Sequence, residues 1–98
     1  MTSKQRAYLK GLGMELDPIF QIGKASVTPE MTAAVAEALE ARELIKLSIL
    51  KNCADDVRSI AEILAERTKS EVVQVIGKKV ILYKPAKDEK KQKIKLPK

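Results

Sequence analysis

The run VVQVIGKKVILY at residues 72–83 sets two apolar segments on either side of Gly77-Lys78. A two-residue connection with glycine first suits a type II′ turn, so the run reads as a β-hairpin. A hairpin needs further strands or helices to stand in water, and the chain offers both. Residues 43–51, ELIKLSILK, alternate Ile45, Leu47 and Ile49 against Lys46 and Ser48, the pattern of a half-buried strand. After Pro18, the short run Ile19, Phe20 and Ile22 ends at Gly23 and is too short for a helix, so it reads as another strand.

Three helical segments fit between and before these strands. Thr2 or Ser3 caps the first, which carries Tyr8, Leu9 and Leu12 on one side and Lys4, Arg6 and Lys10 on the other, and is expected to end around Gly11 to Gly13. Thr28-Pro29-Glu30 opens the second with a hydroxyl at N-cap, a proline at N1 and an acid facing the dipole. Met31, Ala34, Val35, Ala38 and Leu39 form its apolar stripe, leaving Glu30, Glu37 and Glu40 as an acidic outer side. Asp55 or Asp56 caps the third, whose buried stripe is Val57, Ile60, Ala61 and Leu64. The order α-β-α-β-α-β-β predicts an α/β fold: a compact two-layer domain with a four-stranded mixed sheet.

Ninety-eight residues suffice for one core, expected over 1–84, with 85–98 as a basic C-terminal tail. The net charge is +6, and the six lysines and two acids of 85–98 supply +4 of it, leaving +2 for the domain. Such a tail is expected to be mobile and to add nonspecific attraction to polyanions, with docking of Ile94 and Leu96 as the alternative. No apolar run approaches the about 20 residues of a membrane span, and the basic start has no apolar signal core, so a cytoplasmic, membrane-free protein is expected. The chain has no histidine and one cysteine, Cys53, which removes the commonest general base and metal ligand and any disulfide framework. No catalytic residue, metal site, cofactor or small-molecule substrate is expected; Cys53 reads as a structural thiol.

Ile-Gly-Lys occurs twice, at 22–24 and 76–78. The second copy sits in the hairpin, where turn geometry accounts for its glycine. The first lies between a strand and a helix start, where anions bind. Gly23, Ala25 and Ser26 are small enough for close backbone approach, and Lys24 adds a charge at the tip. This is not a P-loop: Lys24 is followed by Ala25, and Pro18 stands where the earlier glycine belongs. Spacing alone leaves both a plain turn and an anion-contacting loop open.

The blocks LKGL, LDPIFQIGKASVT, RELIKLSI and VVQVIGKKVILYKP occur in one order along residues 2–85, with KIKLP after them. In this the chain resembles the CRM domain, the RNA-binding module of chloroplast splicing factors and small bacterial ribosome-maturation proteins, and within it the stand-alone bacterial YhbY type. The resemblance implies a fold related to the C-terminal domain of a bacterial translation initiation factor, and a GxxG loop that contacts RNA as in KH domains. By position that loop is Gly23, Lys24, Ala25 and Ser26, with serine in place of the last glycine. The basic side of helix 1, Lys4, Arg6 and Lys10, is implied to lie near it, and Lys46 is a further candidate. The function so implied is non-enzymatic: a monomer that binds ribosomal RNA in pre-large-subunit particles and assists assembly. The few aromatics, Tyr8, Phe20 and Tyr83, favour phosphate and sugar contacts over stacking. The competing reading is a protein-interaction adaptor that meets a ribosomal protein or assembly factor through acidic helix 2.

Overall fold

The structure, a computed structural model, describes residues 1–97. Its elements are α1 (Ser3–Met14), β1 (Phe20–Ile22), α2 (Pro29–Arg42), β2 (Leu44–Ile49), α3 (Val57–Thr68), β3 (Glu71–Ile76) and β4 (Lys79–Tyr83). The expected order of elements is what the chain forms. Each helix start follows from a local cap. Thr2 and Gln5 satisfy each other's amides in a capping box, Thr28 Oγ1 accepts from the Met31 amide at 3.0 Å, and Asp56 Oδ2 accepts from the Ser59 amide at 3.2 Å.

The four strands form one mixed sheet in the order β1-β2-β4-β3, with β1 parallel to β2 and the other two pairs antiparallel. Gly77 at the hairpin has φ +54° and Lys78 has a negative φ, as a type II′ turn requires. A bulge between Val72 and Gln74 shifts the β3–β4 register and puts Val73 on the opposite face from Val72 and Val75.

Both faces of the sheet are covered. Ile45, Leu47, Ile49, Val80 and Leu82 point toward Val35 and Leu39 of α2 and Ile60 and Leu64 of α3, while Leu44, Ile81, Tyr83 and Val73 pack on Leu9 and Leu12 of α1. The sheet is therefore the middle of three layers, which corrects the two-layer arrangement expected from the order of elements, while the α/β class and the four-stranded mixed sheet stand. The polar positions of the alternation in β2 lie under the α1 layer: Ser48 is buried, with the Lys79 ammonium donating to its hydroxyl at 2.9 Å, and Lys46 is half-buried.

α1 also runs past its expected end, through Gly11 and Gly13 to Met14. At Gly13 a Cβ would stand 2.6 Å from Ile81 Cδ1, so the glycine lets the helix lie directly on β4 instead of terminating it.

Glu43, expected to begin the second strand, is instead the C-cap of α2, buried and at φ +66°. Its carboxylate accepts hydrogen bonds from the backbone amides of Ala86 at 3.4 Å, Ile94 at 3.1 Å and Lys93. Residues 85–97 consequently lie against the domain, in contrast to the mobile tail that their lysine content suggests. Ile94 and Leu96 pack on the α1-side cluster, and Gln5 Nε2 donates to the Pro97 carbonyl at 3.1 Å. Lys98 of that tail lies outside the described residues. Burial, and secondarily the neighbouring Glu43 carboxylate, raise the Tyr83 phenol above its ordinary 10.0. Among the described residues no helix is long and apolar enough to cross a membrane.

Candidate nucleic-acid interface

The first Ile-Gly-Lys copy lies where the edge strand β1 gives way to α2. The last strand residue is fixed from β2, since the Leu50 amide donates to the Ile22 carbonyl at 2.8 Å. The chain then folds into a turn closed by the Ser26 amide donating to the Gly23 carbonyl at 2.9 Å, which leaves Lys24 and Ala25 exposed at its tip. The amides of Lys24 and Ala25 take no protein acceptor among the described residues. Two backbone donors without a protein partner and an ammonium group thus sit on neighbouring exposed residues, groups from which a phosphate oxygen can accept.

Gly23 and Ser26 play different parts in this turn. A Cβ on Gly23 would meet Asn52 Oδ1 at 3.1 Å and Leu50 Cδ1 at 3.4 Å, so its smallness allows the loop to close on the β2–α3 connection. Ser26 carries the left-handed backbone, φ +55°. The GxxG loop that the resemblance implies would have its second glycine at this position, and the positive φ is a backbone that suits one. A side chain in that conformation costs about 1–2 kcal/mol, against about 0.5–1 kcal/mol of extra chain entropy for glycine. Ser26→Gly is therefore expected to stabilise the domain by about 0.5 kcal/mol, raising Tm by about 3 °C in a thermal melt. A lower Tm would show that the serine side chain compensates for its backbone strain.

The basic candidates do not converge on this loop. β1 and β3 are opposite edges of the sheet, and α1 places Arg6 and Lys10 at the β3 edge, about 14 Å across three strand spacings. There the Arg6 guanidinium donates to the Val72 carbonyl at 2.6 Å and the Val73 carbonyl at 3.1 Å, and lies 3.9 Å from the Glu71 carboxylate. It satisfies carbonyls that the bulge releases, a structural role first. Lys10 flanks the same shallow hollow with Arg58 of α3, a cation with no distinguishing sequence signal because the two helices approach it from opposite sides of the sheet. Lys4 is exposed on α1, and the Lys46 ammonium donates to the Leu16 carbonyl at 3.3 Å, tying down the α1–β1 connection. On the α3 side, Ala25, Ser26 and Val27 border a hollow with Asp55, Ser59, Ile63 and Arg67, one acid and one cation. Arg67 is thus a second cation beside the loop, missed because it is brought in by α3 packing.

The family model for the CRS1 / YhbY (CRM) domain matches residues 1–84. The chain belongs to the CRM domain family. It is 46% identical over 97 residues to the "Probable RNA-binding protein YqeI" of Bacillus subtilis, covering 99% of both chains. Identity is 32% over 92 residues with an "RNA-binding protein" of Haemophilus influenzae, covering 94% of this chain and 93% of that one. The solution structure of the hypothetical protein SAV1595 from Staphylococcus aureus superposes with a TM-score of 0.81 at 44% identity, covering 99% of each chain. The CRM fold in this chain therefore holds the GKAS turn between a parallel edge strand and a capped helix.

Proposed function

We propose that this CRM domain is a non-enzymatic RNA-binding protein that acts on ribosomal RNA in pre-large-subunit particles. The observation that carries the reading is the exposed GKAS turn, where two backbone amides without a protein acceptor and the Lys24 ammonium fall on adjacent residues at the end of β1. Relatives named as RNA-binding proteins along nearly their whole length support RNA as the partner class. Capture is electrostatic, followed by backbone contacts at Gly23, Lys24, Ala25 and Ser26. Lys4, Lys10 and Lys46 contribute general attraction from outside the turn, and Arg6 does so only with the charge left over from its bonds to β3. The domain acts as a monomer without metal or cofactor, in the cytoplasm.

Sedimentation of a lysate followed by sequencing of RNA crosslinked to the protein tests the particle assignment. Co-migration with precursors of the large subunit, with crosslinks at residues 23–26, is the expected result. Protein crosslinks along Glu30, Glu37 and Glu40 without RNA would point instead to an adaptor working through α2.

A further inference from the structure

The second Ile-Gly-Lys copy, explained in sequence as a plain turn, is brought by the topology to the same end of the sheet as the first. β1, β2 and β3 all run toward this end, and their last pairings fall on adjacent rows: Ile22 pairs with Ile49, and one residue back Ser48 pairs with Lys79, which pairs with Ile76. The connections that follow, at Gly23, Leu50 and Gly77, therefore emerge side by side. They also touch. Gly23 closes on Leu50 and Asn52, and the Ile49 amide donates to the Lys78 carbonyl at 2.7 Å.

The rim so formed is cationic. The segments 22–24, 49–52 and 76–79 contain Lys24, Lys51, Lys78 and Lys79 and no acid. Lys79 is engaged with Ser48, while Lys24, Lys51 and Lys78 are exposed at three successive tips. The nearest acid of the β2–α3 connection, Asp55, borders the α3-side hollow that Ala25, Ser26 and the cation Arg67 also line, and not the Leu50–Lys78 stretch of the rim. The same segments carry two exposed aliphatic side chains, Leu50 beside the middle tip and Ile76 at the outer edge on β3, at 37% and 51% of full exposure. Charges spaced along about 14 Å of sheet end suit a polyanion laid across them better than a single phosphate, and the aliphatic groups give its sugars and bases an apolar floor.

We infer that an RNA strand held at Gly23–Ser26 continues across the sheet end over Leu50 and Lys51 to the hairpin tip at Lys78, so that both Ile-Gly-Lys strings belong to one binding track. This rests on the RNA-binding reading of the GKAS turn. For single strands each phosphate contact adds about 0.7 to the slope of log affinity against log salt, so losing one lowers affinity about fivefold at 0.1 M salt. The test is fluorescence anisotropy with a labelled single-stranded oligoribonucleotide of mixed sequence, using wild type, Lys24→Gln, Lys51→Gln/Lys78→Gln and a charge-matched control, Lys87→Gln/Lys95→Gln, in the tail. The track predicts about a 25-fold loss for the Lys51/Lys78 pair and a slope lower by about 1.4, with a much smaller change in the control. Equal losses in the two pairs, or no loss at Lys51/Lys78 while Lys24→Gln binds weakly, would overturn the track and leave the GKAS turn standing. Undiminished binding by Lys24→Gln would instead remove the reading on which the track rests. These exposed substitutions are expected to leave Tm within about 3 °C of wild type, which a thermal melt checks before binding is compared.

Discussion

Glu43→Ala is expected to lower folding stability by about 3 kcal/mol, read as a shift in the urea midpoint. The Glu43 carboxylate is the acceptor for the amides of Ala86, Lys93 and Ile94, and it lies at the junction of α2, β2 and the tail. Alanine removes that acceptor and leaves three amides to find water, while keeping the unfavourable positive-φ backbone. Glu43→Gly relieves the backbone, at φ +66°, and should recover about 1 kcal/mol of the loss. Freed of its anchor, the tail becomes accessible, so limited proteolysis after Tyr83 should accelerate in both variants. Wild-type stability in Glu43→Ala would mean that the tail is held by Ile94 and Leu96 alone.

The second large effect is on binding. Lys24→Glu is expected to weaken RNA binding about 25-fold at 0.1 M salt: about fivefold for the lost phosphate contact and a similar factor for the repulsion introduced at the same point. The fold should be unaffected, because Lys24 is exposed at the tip of a turn closed by backbone atoms of Gly23 and Ser26. Loss of binding together with an unchanged melt separates contact from structure.

Signals confined to a few neighbouring residues were legible in the sequence. Thr28-Pro29-Glu30 marks a helix start by its own chemistry, Gly77-Lys78 fixes the hairpin, and the strand-to-helix setting of Gly23–Ser26 follows from that helix start and the apolar run Ile19 to Ile22 before it. What escaped depends on distant partners. The glycines of α1 read as a helix end, yet Gly13 is shaped by Ile81 on another element. Lys46 and Ser48 read as a solvent face because nothing local reveals that α1 returns over β2. Arg6 reads as a free cation until the carbonyls of Val72 and Val73 are placed beside it, and Glu43 reads as a strand residue until the tail comes back to it. The left-handed backbone at Ser26 was foreseeable only through the glycine that the resemblance implies at that position.

The central claim is that the GKAS turn holds RNA, and the most direct measurement is the salt dependence of binding to a labelled large-subunit rRNA fragment. Wild type and Lys24→Glu are titrated from low to high salt after a thermal melt shows both folded. RNA held at Lys24 gives about a 25-fold lower affinity for the variant at 0.1 M salt and a log–log slope shallower by at least about 0.7, with the two curves converging as salt rises. Coincident curves for the two proteins at every salt concentration would contradict it.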